Sequence, residues 1–126
     1  MRKIVIAAAV LMSLEWVAPS YAFGASFSWA GIAPCGSTSP VFQLKDVPRT
    51  TKQLRFQLKD YDAPNFPHGG STVAYGGSAA MPEGAISYAG PCPPPGERHK
   101  YIWIIEALDG TGKVVGRTTA TGIFPP

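Results

Sequence analysis

The glycines and prolines of this chain, fourteen and thirteen of 126 residues, stand between its apolar runs and not inside them. Both residue types break helices and favour turns. Short apolar segments so punctuated predict an all-β domain. Leu54, Phe56 and Leu58 alternate with Arg55, Gln57 and Lys59, the period of a half-buried strand with even positions inward. The same parity turns Asp60, and Asp62 if the strand continues, toward the inside. Buried carboxylates need partners, because unpaired buried charge is costly.

Other strands follow by the same reading. Phe42 and Leu44 mark an earlier one, ended by Val47 and Pro48, and Ser71 to Tyr75 mark a short one. Tyr101 to Leu108 is apolar at nearly every position and rich in β-formers, which predicts a central strand buried on both faces. Asp109 to Gly112 is a turn, and Lys113 to Thr121 returns as its hairpin partner. No segment beyond the N-terminal one has helical periodicity, so little helix is expected. Trp29 and Trp103 are expected in the core.

Met1, Arg2 and Lys3 precede an apolar run from Ile4 to Leu14. That is shorter than the roughly 20 residues a membrane span needs and suits the core of a signal peptide. Ser20 to Ala22 supply small residues at the positions a signal peptidase reads, which predicts a signal peptide at residues 1–22 and one domain at residues 23–126. The protein is then exported, periplasmic or secreted, with no transmembrane segment in the mature chain. Losing Arg2, Lys3 and Glu15 leaves nine basic and seven acidic residues, a net charge too small to argue for nucleic acid. Lys45, Arg49, Lys52, Arg55 and Lys59 read as a solvated face.

Cys35 and Cys92 are the two cysteines. An even count in an oxidising compartment favours a disulfide, against two separate buried thiols or a shared metal site. The spacings of Cys35, Cys92, His68, His99, Asp60 and Asp62 match no close-set zinc pattern, so neither metal nor cofactor is expected. No serine lies in a nucleophile-elbow pattern, and Ser87 lacks any local signature, so the chain does not read as an enzyme.

Two segments could carry binding chemistry. Asp60, Tyr61, Asp62, Ala63 and Pro64 end one strand; His99, Lys100 and Tyr101 begin another, with His99 and Tyr101 sharing a face. An imidazole and a phenol side by side can both donate to an oxyanion. Upstream, Gly90 to Gly96 holds four prolines, a stiff loop with N–H donors left on Gly90, Cys92 and Gly96.

Together, Asp60 to Pro64, His68, Tyr88 to Gly96, His99 and Tyr101 resemble the phosphatidylethanolamine-binding protein family, and in particular its bacterial Raf kinase inhibitor-like branch. Cys35, Gly36, Ser39, Pro40, Phe42, Leu44, Val47, Pro48, Thr51 and Leu54 fit that branch in order, so the resemblance runs from Cys35 to Leu108. It implies a β-sandwich with a surface pocket for phosphate or a phospholipid headgroup. Asp60 and Asp62 would line it, His68 would join them, Gly90 and Pro91 would form a wall, and His99 and Tyr101 the far side. The chain departs from the family in having Gly69 where a tryptophan follows the histidine, which removes an apolar wall. Its interval from Asp62 to Gly90 is short, and the N-terminal strand and C-terminal helix of longer members have no counterpart.

The expected function is therefore non-catalytic binding of an anionic small molecule or phospholipid headgroup. The alternative is an exported protein-interaction or hydrolase-inhibitor module with a vestigial pocket. Sheet edges exposed by the trimmed fold would suit a homodimer or an exported protein partner.

Overall fold

The computed structural model describes residues 2–10, 12 and 22–126. Most of the segment around the predicted cleavage site, residues 13–21, lies outside them. Seven strands make up the regular structure: β1 (Gly24–Phe27), β2 (Phe42–Lys45), β3 (Gln53–Asp60), β4 (Gly70–Ala74), β5 (Ala80–Met81), β6 (His99–Leu108) and β7 (Val114–Phe124). Among the described residues there is no helix, and so none long and apolar enough to cross a membrane. All strand pairs are antiparallel. One sheet has the order β1-β2-β5 and the other β4-β3-β6-β7.

The alternation along β3 places Leu54, Phe56, Leu58 and Asp60 inward and the intervening residues in solvent. In β2 the same rule buries Phe42 and Leu44. These faces meet in one aromatic core. Phe42 lies 4.9 Å from Phe56 and 5.1 Å from Trp103, ring centre to ring centre, which joins the two sheets. Trp29 packs on Tyr101, Trp103 and Phe124 at 5.9, 6.2 and 5.9 Å. Each such side chain contributes roughly 1.5–3 kcal/mol by leaving water.

Three features differ from the sequence reading. β6 is buried on one face and half-covered on the other, because the three-stranded sheet packs against the inner side only and Ile102 and Ile104 are shielded just by their neighbours. β7 continues past Thr121 to Phe124, since pairing with β6 runs as far as His99↔Phe124 and the inward Phe124 enters the core. β1 and β5 were not read from the sequence, since Gly24–Phe27 holds one large apolar residue and β5 has only two residues. β1 crosses close over β7 at Gly122, where a Cβ would stand 2.9 Å from the Phe27 ring.

The turn between β6 and β7 is closed by Asp109, whose Oδ1 accepts from the amides of Thr111 and Lys113 at 2.9 and 3.0 Å. Cys35 and Cys92 form a disulfide that spans 57 residues, joining the loop after β1 to the proline loop before β6. Neither the separate-thiol nor the shared-metal alternative applies to these sulfurs.

Phe56→Ala is expected to cost about 3–5 kcal/mol in urea unfolding, against less than about 0.5 kcal/mol for the exposed Val114→Ala. Replacing both cysteines by serine should lower stability by about 4 kcal/mol, the loop-closure value for a bridge of this span. A loss below about 1 kcal/mol would show that the unfolded chain is already restricted there.

Candidate functional site

Asp60 is the last residue of β3 and His99 the first of β6, and the register Asp60↔Tyr101 brings both to the same end of the larger sheet. Asp60 is 4 % exposed, and its partners explain how a carboxylate sits there. Its Oδ1 accepts from the amides of Asp62 and Ala63 at 2.8 and 3.1 Å, which closes the turn that leaves the strand. Its Oδ2 lies 2.7 Å from His99 Nδ1. Asp62 Oδ2 in turn accepts from the Lys100 amide at 2.8 Å, tying the turn to β6.

These contacts decide the charges. Burial pushes the Asp60 carboxyl up, but the hydrogen bonds from His99 and from the Asp62 amide outweigh it, so the group is held below its ordinary value. For His99 the hydrogen bond to Asp60 raises the imidazole's pKa; burial opposes it, and Glu97, with Oε2 at 3.3 Å from Nε2, adds to the rise. The two shifts are opposite in sign and share one hydrogen bond, so each partner favours the charged form of the other.

An open pocket of about 720 Å³ lies over this pair. It is lined by Asp60, Asp62, His68 and His99, joined by Phe66, Cys92, Pro94, Glu97 and Arg98 from the flanking loops. His68 is fixed by its Nδ1, 2.7 Å from the Ala89 carbonyl oxygen, so this nitrogen carries the proton and Nε2 is left for the pocket. Phe66 packs at a tilt on the His68 ring, with ring centres 4.5 Å apart, and remains 49 % exposed. It supplies an apolar wall from two residues before the histidine, on a chain where Gly69 had removed the one implied by the resemblance. Arg98 donates from Nε to the Pro125 carbonyl at 3.1 Å, which anchors its guanidinium at the rim.

Four of the seven predicted site residues thus come together, Asp60, Asp62, His68 and His99, and three stand elsewhere. Tyr101 is fully buried behind both histidines, its ring 5.5 Å from His68 and 6.3 Å from His99. Burial and the nearby Asp60 charge raise its phenol pKa, and its hydroxyl meets hydrogen-bond geometry with no partner among the described residues. Gly90 is packed so tightly that a Cβ would stand 2.4 Å from the Gly36 carbonyl oxygen, and its amide donates to that oxygen at 2.8 Å. Its N–H is therefore not offered to an anion. Pro91 is fully buried, with its carbonyl accepting from the Cys35 amide at 2.8 Å. Both residues brace the loop next to the disulfide and leave the wall itself to Cys92 and Pro94. Glu97 and Arg98 were not anticipated, though their place directly before His99 was the available signal.

Ligand atoms of Asp60, Asp62 and His99 lie within 4.8 Å of one another, close enough for a cation. Both Asp60 oxygens, one Asp62 oxygen and His99 Nδ1 are already hydrogen-bonded, so an ion would have to break that network. Tyr88, quoted for the resemblance, packs on Trp103 at 5.0 Å and donates to the Thr38 carbonyl; burial pushes its phenol up to about 12.

The molecule is thus a two-sheet antiparallel β-sandwich with a polar pocket at one end of its larger sheet. No family model matches the chain, and no curated protein does. Among solved structures it is similar to a protein of Chlamydia trachomatis described as a phosphatidylethanolamine-binding protein homologue, with a TM-score of 0.61 and 20 % identity over 85 % of this chain and 99 % of that one. A second, from Escherichia coli, is described as a member of the mammalian phosphatidylethanolamine-binding protein family; its TM-score is 0.49, with 20 % identity over 82 % of this chain and 95 % of that one. The fold is that of the phosphatidylethanolamine-binding proteins, as the paired motifs implied.

The Asp60–His99 pair makes stability depend on pH from two sides. The raised His99 value adds stability that is complete below the unfolded histidine's value of about 6.5 and fades as pH rises through the folded value. The lowered Asp60 value adds stability present above about 3.8 and lost as pH falls through its folded value. Asp60→Asn should bring the His99 titration, followed by imidazole NMR, back toward about 6.5 and cost about 1–3 kcal/mol. An unchanged His99 titration would show that Asp60 is not its charge partner.

Proposed function

We propose that this chain is an exported, non-catalytic module that binds phosphate or a phosphate-bearing headgroup, such as that of phosphatidylethanolamine, in the pocket over Asp60 and His99. The observation that carries this reading is the convergence of two hydrogen-bond donors on one open cavity, the outward N–H of His99 and the Arg98 guanidinium, beside the His68 Nε2. Charge-assisted donors of this kind are the usual partners of phosphate oxygens. The description of the Chlamydia protein points the same way. Asp60 serves as the group that fixes the His99 ring and keeps it charged, since both of its oxygens are engaged by the protein.

Export is supported by the basic and apolar start of the chain and by the disulfide, whose two half-cystines are exposed and would be reduced in a cytosol. The non-catalytic reading goes with a pocket lining that holds no serine or threonine hydroxyl and whose cysteine is in the disulfide. One observation favours the alternative of a protein-interaction module, namely the exposed aromatic rings of Phe66 at the rim and Tyr61 beside it.

The test is titration of inorganic phosphate and phosphoethanolamine into protein purified from the periplasm of an exporting bacterial host, following the His68 and His99 imidazoles by NMR. Both rings should shift at millimolar ligand, and His99→Ala should weaken binding at least about tenfold, the cost of one charged hydrogen bond. Silence of both rings would reject the pocket, and steady release of phosphate from phosphoesters would reject the non-catalytic reading. The purified chain should begin at Phe23; an intact Met1 would reject processing after Ala22.

A further inference from the structure

His99 is held between two carboxylates that differ in kind. On Nδ1 stands Asp60, at 2.7 Å and with a side chain 4 % exposed, its other oxygen fixed by two backbone amides. On Nε2 stands Glu97, at 3.3 Å and with a side chain 58 % exposed. The inner contact is short, buried and cross-braced. The outer one is long, faces water, and comes from a turn secured by the Glu97 amide donating to the Pro94 carbonyl at 3.0 Å.

The outer nitrogen is the one that any ligand in the pocket would meet, because Nδ1 is closed off by Asp60. Glu97 and His99 are two residues apart, and the turn that precedes β6 sets both side chains on the pocket. One N–H cannot serve two anions well, and two negative charges about 4 Å apart repel by about 1 kcal/mol even in bulk water. An anionic ligand that reaches His99 must therefore move the Glu97 carboxylate aside.

Resting on the anion-binding reading of the pocket, we infer that Glu97 is a tethered competitor: its carboxylate occupies the outward N–H of His99 and sets the affinity for anionic ligands by having to be displaced. It is a specificity-determining residue for that site. It weakens binding of any anion that depends on His99 and spares ligands that rely on His68 and Arg98 alone. Because the Glu97 contact is largely exposed, it is worth what an exposed ion pair is worth, and its removal should tighten anion binding about two- to fivefold.

The test compares inorganic phosphate binding by the wild-type protein, Glu97→Gln, Glu97→Ala and Glu83→Gln, read from the His68 and His99 resonances at a pH of about 6, below the ordinary histidine value. Glu83 is an exposed carboxylate outside the pocket lining, so Glu83→Gln makes the same change in net charge away from the site. Both Glu97 variants should bind phosphate about two- to fivefold more tightly than wild type, and Glu83→Gln should match wild type. In the ligand-free protein, Glu97→Ala should also move the His99 Nε2 resonance. Glu97 variants that bind phosphate no more tightly than wild type overturn the inference and leave the pocket standing. An equal gain in Glu83→Gln overturns it too, by assigning the effect to net charge. If phosphate shifts neither histidine in any of the proteins, the anion-binding reading falls and the competitor with it. The resonance dispersion of each variant reports that the fold is retained.

Discussion

A carboxylate buried at the end of a strand has to be satisfied or the strand cannot end there, and the contacts that satisfy Asp60 organise this end of the molecule. Two amides of the following turn bond to one oxygen, and His99 bonds to the other. The first pair bends the chain away from β3. The second bond joins the end of β3 to the start of β6, already neighbours by backbone pairing. One residue therefore fixes a turn, orients an imidazole and raises its pKa. The turn cap and the contact that orients His99 are here made by different oxygens of the same side chain.

The second brace is covalent. The disulfide fastens the proline loop to the segment around Cys35, and two backbone bonds run beside it, from Cys35 to the Pro91 carbonyl and from Gly90 to the Gly36 carbonyl. The tight approach at Gly90 leaves no room for a side chain. Four prolines in this loop cost it little further entropy to order. The wall that carries Cys92, Pro94 and Glu97 is in this way held against the sandwich without any regular secondary structure of its own.

The pocket that results is mixed in charge. Asp60, Asp62 and Glu97 stand beside His68, Arg98 and His99. Asp60 spends both oxygens on the protein and Asp62 spends one, so their charge is partly absorbed before a ligand arrives. Glu97 is the carboxylate whose contact is exposed and weak, which makes it the movable part of an otherwise fixed arrangement. Phe66 adds an apolar flank beside His68, so the cavity offers charged donors on one side and a ring on another.

The sequence alone determined the features that contiguous residues encode. The even positions of β3 had to face inward because period-2 alternation is a property of the strand itself, and this carried Asp60 inside with Leu54, Phe56 and Leu58. The hairpin turn at Asp109, the core tryptophans, the pairing of the two cysteines and the shared inward facing of His99 and Tyr101 were legible for similar reasons. What the tertiary structure decided was depth and neighbourhood. Period-2 geometry could say that His99 and Tyr101 share a face, but not that His99 stands at the mouth of the cavity and Tyr101 behind it under Trp29. Gly90 and Pro91 looked like a wall until Gly36 and Cys35, more than fifty residues earlier, packed against them. Phe66, Glu97 and Arg98 entered the pocket because their loops fold over the end of the sheet. A strand's facing is set by its own backbone, whereas a cavity is set by which distant loops meet across it, and no local pattern carries that information.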